Sequence, residues 1–227
     1  MEVSCEVSSI TMKFSAEALL FDSDETLVSS MKSVFRCWSQ WADAHGLTIA
    51  EIMEVQPHGR PAAAIVADLL PAEEVASAVA LLEQAEVDDA IAGGVVPVPG
   101  SRELLASLPV GRWAVVTSGT RRVADARLAA AGVRAAHVVT VDDITHHKPD
   151  PEPYLLAAQR LGVDPKRCVA FEDAPAGLAS ARAAGMATVA ITTTHDASAL
   201  DADVVIADLS GVTTFATDAG VELTIAV

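Results

Sequence analysis

The chain has 227 residues, is 51% hydrophobic and carries a formal net charge of −16. So acidic a surface repels nucleic-acid backbones and anionic membranes, and no basic run offers a local exception. The same field opposes any phosphorylated ligand, so an anion site here needs its own local positive charge. The length allows one sizeable α/β core plus a smaller insert, and the composition is that of a folded globular chain.

Cys5, Cys37 and Cys168 show no metal-ligand spacing, and their odd number fits a reducing compartment. Met1 to Phe14 lacks the basic, apolar, small-residue order of a signal peptide. No apolar stretch approaches the ~20 residues needed to cross a bilayer. The expectation is a cytoplasmic protein, monomeric or weakly homodimeric, with no nucleic-acid or membrane partner.

In chain order, short apolar runs predict buried strands at Ala18–Phe21, Trp113–Val116, His137–Thr140, Cys168–Phe171, Ala187–Ile191 and Val204–Ile206. Alanine-rich, helix-period segments lie between most of them, at Arg122–Ala131, Pro153–Leu161 and Pro175–Ala184. This alternation predicts an α/β fold, a doubly wound parallel sheet with a Rossmann-like core. It breaks once. About 90 residues separate Phe21 from Trp113, and they read as helices at Met31–His45, Pro61–Leu70 and Ala72–Ala90, with a short one at Ser101–Leu108. The expected organisation is a core of residues 1–28 and 97–227 with an all-helical cap inserted at 29–96. The tail, Val221–Val227, alternates like an edge strand.

Ligands of open parallel sheets bind beyond the carboxyl ends of the strands. Four segments fall there. In Phe21-Asp22-Ser23-Asp24-Glu25-Thr26-Leu27, Asp22 and Asp24 are two apart and both stay charged only beside a cation. Oxygen-only ligands favour Mg²⁺. In Val115-Val116-Thr117-Ser118-Gly119-Thr120, a hydroxyl and small residues let backbone N–H groups approach a phosphate. Lys148, one of four lysines, stands in His147-Lys148-Pro149-Asp150-Pro151 as a point charge for phosphate. Glu172 and Asp173 precede a helix at Pro175, where Asp173 could complete a metal site with Asp22. Each segment also has a plain reading as a solvated loop, a surface lysine or a helix cap. Their joint order and placement favour one site.

With these four segments in order, the chain resembles the haloacid dehalogenase superfamily of phosphotransferases, in its branch with a helical cap after the first strand. Lys148 through Gly185 is similar to small sugar- and polyol-phosphate phosphatases and, more distantly, to beta-phosphoglucomutase. His58-Gly59-Arg60 looks like a motif of deoxysugar-phosphate and glycerol-phosphate phosphatases. The resemblance implies a Mg²⁺-dependent phosphatase acting on a small phosphorylated metabolite. Asp22 would be the nucleophile forming a phospho-aspartate, and Asp24 the acid and then the base. Thr117, Ser118 and Lys148 would hold the phosphoryl oxygens. Asp22, the Asp24 carbonyl and Asp173 would bind Mg²⁺ with Glu172 close by or ligating, and His58 and Arg60 would meet substrate from the cap.

Two positions depart from the family pattern. Glu25 and His147 stand where Gly is usual, and Glu25 is expected to narrow the entrance, alter cap motion or disfavour anionic substrates. His146 and His147 are adjacent on an extended segment and read as plain surface or supporting histidines. Trp38 and Trp41 read as cap core. Of Arg121 and Arg122, one is expected to face the crevice. A phosphomutase using the same phospho-aspartate, or a catalytically weakened binding protein on this fold, are the alternatives.

Overall fold

The structure, a computed structural model, describes residues 11–55 and 60–226. Its main sheet has six parallel strands in the order β6-β5-β2-β7-β8-β9. These are β2 (Ala18–Phe21), β5 (Trp113–Val116), β6 (Val138–Val139), β7 (Cys168–Glu172), β8 (Ala187–Ile191) and β9 (Val204–Ile206). The chain runs outward from β2 through β5 to β6, then returns to β7 on the other side of β2. The switch point therefore lies where Asp22 and Asp173 leave neighbouring strands.

Strands β2 and β7 are buried along their whole length because helices cover both faces. Leu19 and Phe21 join a core cluster with Leu104 and Leu105 of α5 (Ser101–Ser107) and Leu128 of α6 (Arg121–Ala130). Ala18 and Leu20, on alternate positions, join Tyr154 and Ala157 of α7 (Glu152–Leu161) and Ala181 of α8 (Pro175–Ala183). Each large apolar side chain so buried contributes about 1.5–3 kcal/mol.

Helices α1 (Met31–Ala44), α2 (Ile49–Glu54), α3 (Ala62–Leu69) and α4 (Ala72–Asp89) follow the first loop and share a cluster of their own, built on Trp38, Trp41, Ile52, Ile65, Val66 and Leu82. Trp41 is part of that core, and its indole N–H donates to the Ala78 carbonyl at 2.9 Å. The chain enters and leaves this helical unit through a small antiparallel ribbon, β3 (Val28–Ser29) against β4 (Val96–Pro97).

Several features differ from the expectation, among them the strands β1 (Thr11–Ala16), β3, β4 and β10 (Val212–Thr217), which are not predicted from the sequence. The tail is not an edge strand. β11 (Gly220–Ala226) is the middle strand of a separate antiparallel sheet, between β1 and β10. Its alternation buries Val221, Leu223 and Ile225 in the main core, a pattern that edge and middle strands share. Helix α2 was also absent from the sequence reading, although Thr48 and Glu51 form a reciprocal capping box at its start. Among the described residues, no helix is long and apolar enough to cross a membrane.

Candidate active site

Strand β2 delivers Asp22 with its backbone still in the sheet, its amide donating to the Phe171 carbonyl at 2.9 Å. Beneath it, the Phe21 and Phe171 rings stack with centroids 4.8 Å apart and fix the two strand ends together. The chain then turns sharply, the amides of Leu27 and Val28 donating to the Ser23 carbonyl at 2.8 and 3.0 Å. On the neighbouring strand, Glu172 is the last residue of β7 and Asp173 the first beyond it.

Lys148 reaches this point from the loop between β6 and α7. Its Nζ donates to Asp22 Oδ1 at 2.7 Å, Glu172 Oε1 at 2.6 Å and the Val116 carbonyl at 2.9 Å. Tyr154, on α7, donates its hydroxyl to the same Glu172 oxygen at 2.6 Å. Asp173 is not the cap of α8. That position is Ala174, and Asp173 instead accepts from the Thr194 hydroxyl at 2.6 Å. Thr117 follows β5 and its Oγ1 accepts from the Gly119 amide at 3.1 Å, while Thr117, Ser118 and Gly119 line the same cavity as Asp22 and Lys148.

The electrostatics of this cluster are those of a cation site. Carboxylate oxygens of Asp22, Glu172 and Asp173 lie within 4.8 Å of one another, and all three residues are buried. Three carboxylates face one ammonium, which leaves two negative charges to be balanced. Burial, reinforced by the Asp22 charge, pushes the Asp173 carboxyl up to about 7. Burial likewise raises Asp22 and Glu172 against the pull of Lys148. Burial alone would lower Lys148, but Asp22 and Glu172 outweigh it and hold the ammonium above the usual lysine range. An oxygen-only donor set with two uncompensated charges fits a divalent ion such as Mg²⁺.

Asp24 lies at the rim, held by two donors. Its Oδ1 accepts from the Ser30 hydroxyl at 2.6 Å and from Arg127 Nη1 at 2.9 Å. Arg127, on α6, is buried, and its Nη2 lies 3.1 Å from Glu86 of α4. Glu25 does not project across the entrance. Its carboxylate turns back and accepts from the Ser30 and Met31 amides, each at 2.6 Å, at the start of α1.

Other candidates fall elsewhere. His58 lies outside the described residues. Arg60 borders the cavity, but its guanidinium is engaged by the Val55 and Ala64 carbonyls and by Asp68. Neither arginine at the start of α6 turns inward to the carboxylate cluster. Arg121 pairs with Asp143, and Arg122 donates to Gln84 of α4. His146 is exposed beside Glu152, and His147 is exposed. Arg127, Tyr154, Ser30 and Thr194 were not singled out from the sequence. Arg127 left a trace there, a charged residue in the Val123, Ala124, Leu128 stripe that α6 buries.

A parallel sheet, a lysine-clamped carboxylate cluster at its switch point and helices inserted after the first strand of that sheet define a known class. The chain belongs to the haloacid dehalogenase-like hydrolase family, whose model matches residues 16–185. Within it the chain stands among the phosphoric monoester hydrolases. It is 38% identical over 204 residues to hexitol phosphatase A of Escherichia coli, covering 87% of this chain and 93% of that one. It is 38% identical over 207 residues to validoxylamine A 7'-phosphate phosphatase of Streptomyces hygroscopicus, covering 85% and 94%. The fold matches that of CbbY from Rhodobacter sphaeroides, solved in complex with phosphate, with a TM-score of 0.74 at 23% identity over 86% of this chain and 95% of that one.

Proposed function

We propose that the chain is a Mg²⁺-dependent phosphatase of a small phosphorylated sugar or polyol, working through a phospho-aspartate on Asp22. The observation that carries this reading is the Lys148 ammonium, which joins Glu172 to Asp22, a residue 126 positions away from it along the chain. The two relatives named for a hexitol and for validoxylamine A 7'-phosphate support the substrate class. Residues 29–96 act as the cap on a core formed by 1–28 and 97–227.

Asp22 attacks phosphorus while Asp24 gives its proton to the departing oxygen, so the P–O bond breaks and a neutral alcohol leaves. Asp24, now a carboxylate, takes a proton from water, which attacks the phospho-aspartate and releases inorganic phosphate and Asp22. Lys148, the Thr117 hydroxyl and the Ser118 amide hold the equatorial oxygens through both steps. Asp22, Asp173 and the Asp24 carbonyl would hold Mg²⁺, with Glu172 alongside. Bound there, the ion supplies the charge neutralisation that lets a phosphate dianion approach a carboxylate.

A phosphate-release screen over sugar and polyol phosphates with Mg²⁺ tests the reading, with Asp22→Asn as the blank. Turnover by the intact chain that disappears in the variant is the expected result. A panel without turnover, or isomerisation without phosphate release, would overturn it.

A further inference from the structure

The catalytic cluster opens into a cavity of about 360 Å³ bounded by core and cap. Its two walls differ in chemistry. The core wall carries Asp22, Lys148, Thr117 and Asp173. The cap wall is formed by Met31, Val34, Phe35 and Trp38 of α1 with Ile52 and Met53 of α2. Of these, Met31, Phe35 and Met53 remain 44, 59 and 49% exposed, large apolar side chains grouped on one cavity wall.

The charges around the cavity point the same way. Among the described residues that line it, the arginines and lysine are Arg60, Arg127 and Lys148. Each is already paired, Arg60 with Asp68, Arg127 with Asp24 and Glu86, and Lys148 with Asp22 and Glu172. The Nδ1 of His195 meets the Thr194 hydroxyl. Glu83 and Glu86 add negative charge on the cap side. A second phosphate or a carboxylate on the substrate would meet repulsion and, among the described residues, no unclaimed cation. A leaving group hydroxylated all round would give up water against the methionine and phenyl surfaces without replacement hydrogen bonds.

We propose that the substrate is a phosphomonoester whose leaving group is uncharged and presents an apolar face to α1 and α2, with Phe35 and Met53 as its specificity-determining contacts. This rests on the phosphatase reading above and narrows it, away from the fully hydroxylated sugars and polyols that reading also admits. The occupant is a deoxygenated or carbocyclic body, and bisphosphates and phosphorylated acids are rejected.

Two matched pairs test it by kcat/KM. Cyclohexyl phosphate and myo-inositol 1-phosphate share a ring and differ in hydroxyls, and fructose 1-phosphate and fructose 1,6-bisphosphate differ in one phosphate. The second phosphate is expected to lower kcat/KM at least tenfold. Phe35→Ser is expected to shift the cyclohexyl-to-inositol ratio at least tenfold toward inositol, a change in which the intrinsic reactivity of the two esters cancels. Met53→Ser repeats the measurement from α2, in case the first variant folds poorly. An unshifted ratio in both variants, with both substrates slowed equally, would overturn the proposal and make the patch a seal for cap closure. A bisphosphate turned over as well as the monophosphate would overturn its charge component. No phosphate release by the intact chain from these esters or from acetyl phosphate would instead sink the phosphatase reading itself.

Discussion

Arg127 donates to Asp24 Oδ1 at 2.9 Å from the helix after β5, and the same guanidinium lies 3.1 Å from Glu86 on α4. One buried cation thus joins the proposed acid–base residue to the inserted helices. Its burial is favourable only while both carboxylates stay in place, since Glu86 is itself buried and its pKa is raised chiefly by desolvation. Arg127→Met is expected to destabilise the protein by about 3 kcal/mol. Adding Glu86→Gln should recover part of that loss, because the variant no longer buries an unpaired charge. Urea unfolding of the two singles and the double gives the coupling energy directly, and strict additivity would show that the pair is not coupled.

Glu25 combines a strained backbone with a helix-capping side chain. Its φ is 59°, in the left-handed region that disfavours side chains, while its carboxylate receives the first amides of α1. Removing the side chain sacrifices the cap, about 0.5–2 kcal/mol. Glycine also relieves the backbone, by about 1–2 kcal/mol. Glu25→Gly is therefore expected to be nearly neutral and Glu25→Ala clearly destabilising, a difference that thermal unfolding resolves. Equal Tm values for the two variants would contradict the strain.

Much of this molecule was legible because it is local. The apolar runs that end at Phe21, Val116 and Phe171 mark strands buried on both faces, and the polar residues just after them mark the crevice. What escaped depends on chain returns that no short window contains. Glu25 caps α1 from outside the usual offset of a capping residue. Arg127 shows its purpose only when α4 packs beside α6, and Tyr154 only when α7 places it under Glu172. β1 does alternate, with Met12, Phe14 and Ala16 facing Ile225, Leu223 and Val221 of β11, but one six-residue stretch of alternation gives no sign of its partner, which lies more than 200 residues away.

The carboxylate cluster ties stability to pH and to divalent ions. Below the ordinary Asp value of 3.8, Asp173 is protonated in both folded and unfolded chains and imposes no penalty. As pH rises from there, the unfolded chain loses its proton first while the fold retains it. Stability therefore falls, and the loss is complete once pH has passed through about 7. Asp22, raised for the same reason, acts in the same direction. The metal-free protein should lose Tm between pH 5 and 8, and Mg²⁺ should raise Tm more at pH 8 than at pH 5, where protons compete for the ligands. Differential scanning fluorimetry with and without EDTA checks both, and a Mg²⁺ effect independent of pH would argue against these ligands.

Gly177 sets how closely α8 approaches the site. A Cβ on this residue would lie 2.0 Å from the Glu172 carboxyl carbon and 2.1 Å from both its oxygens. A free glutamate would swing aside, but Glu172 is held by Lys148 at 2.6 Å and Tyr154 at 2.6 Å. The added methyl must displace either the helix or the clamp on Asp22. Gly177→Ala is therefore expected to lower kcat/KM by about 100-fold, the size of loss that a 1 Å misplacement produces. Gly162 supplies the contrast. It has φ +67 and open space around its missing Cβ, so Gly162→Ala strains the backbone by about 1 kcal/mol and leaves turnover intact. Comparable activity losses in the two variants would mean that Gly177 matters to the fold alone, and that Glu172 has more freedom than its two short hydrogen bonds allow.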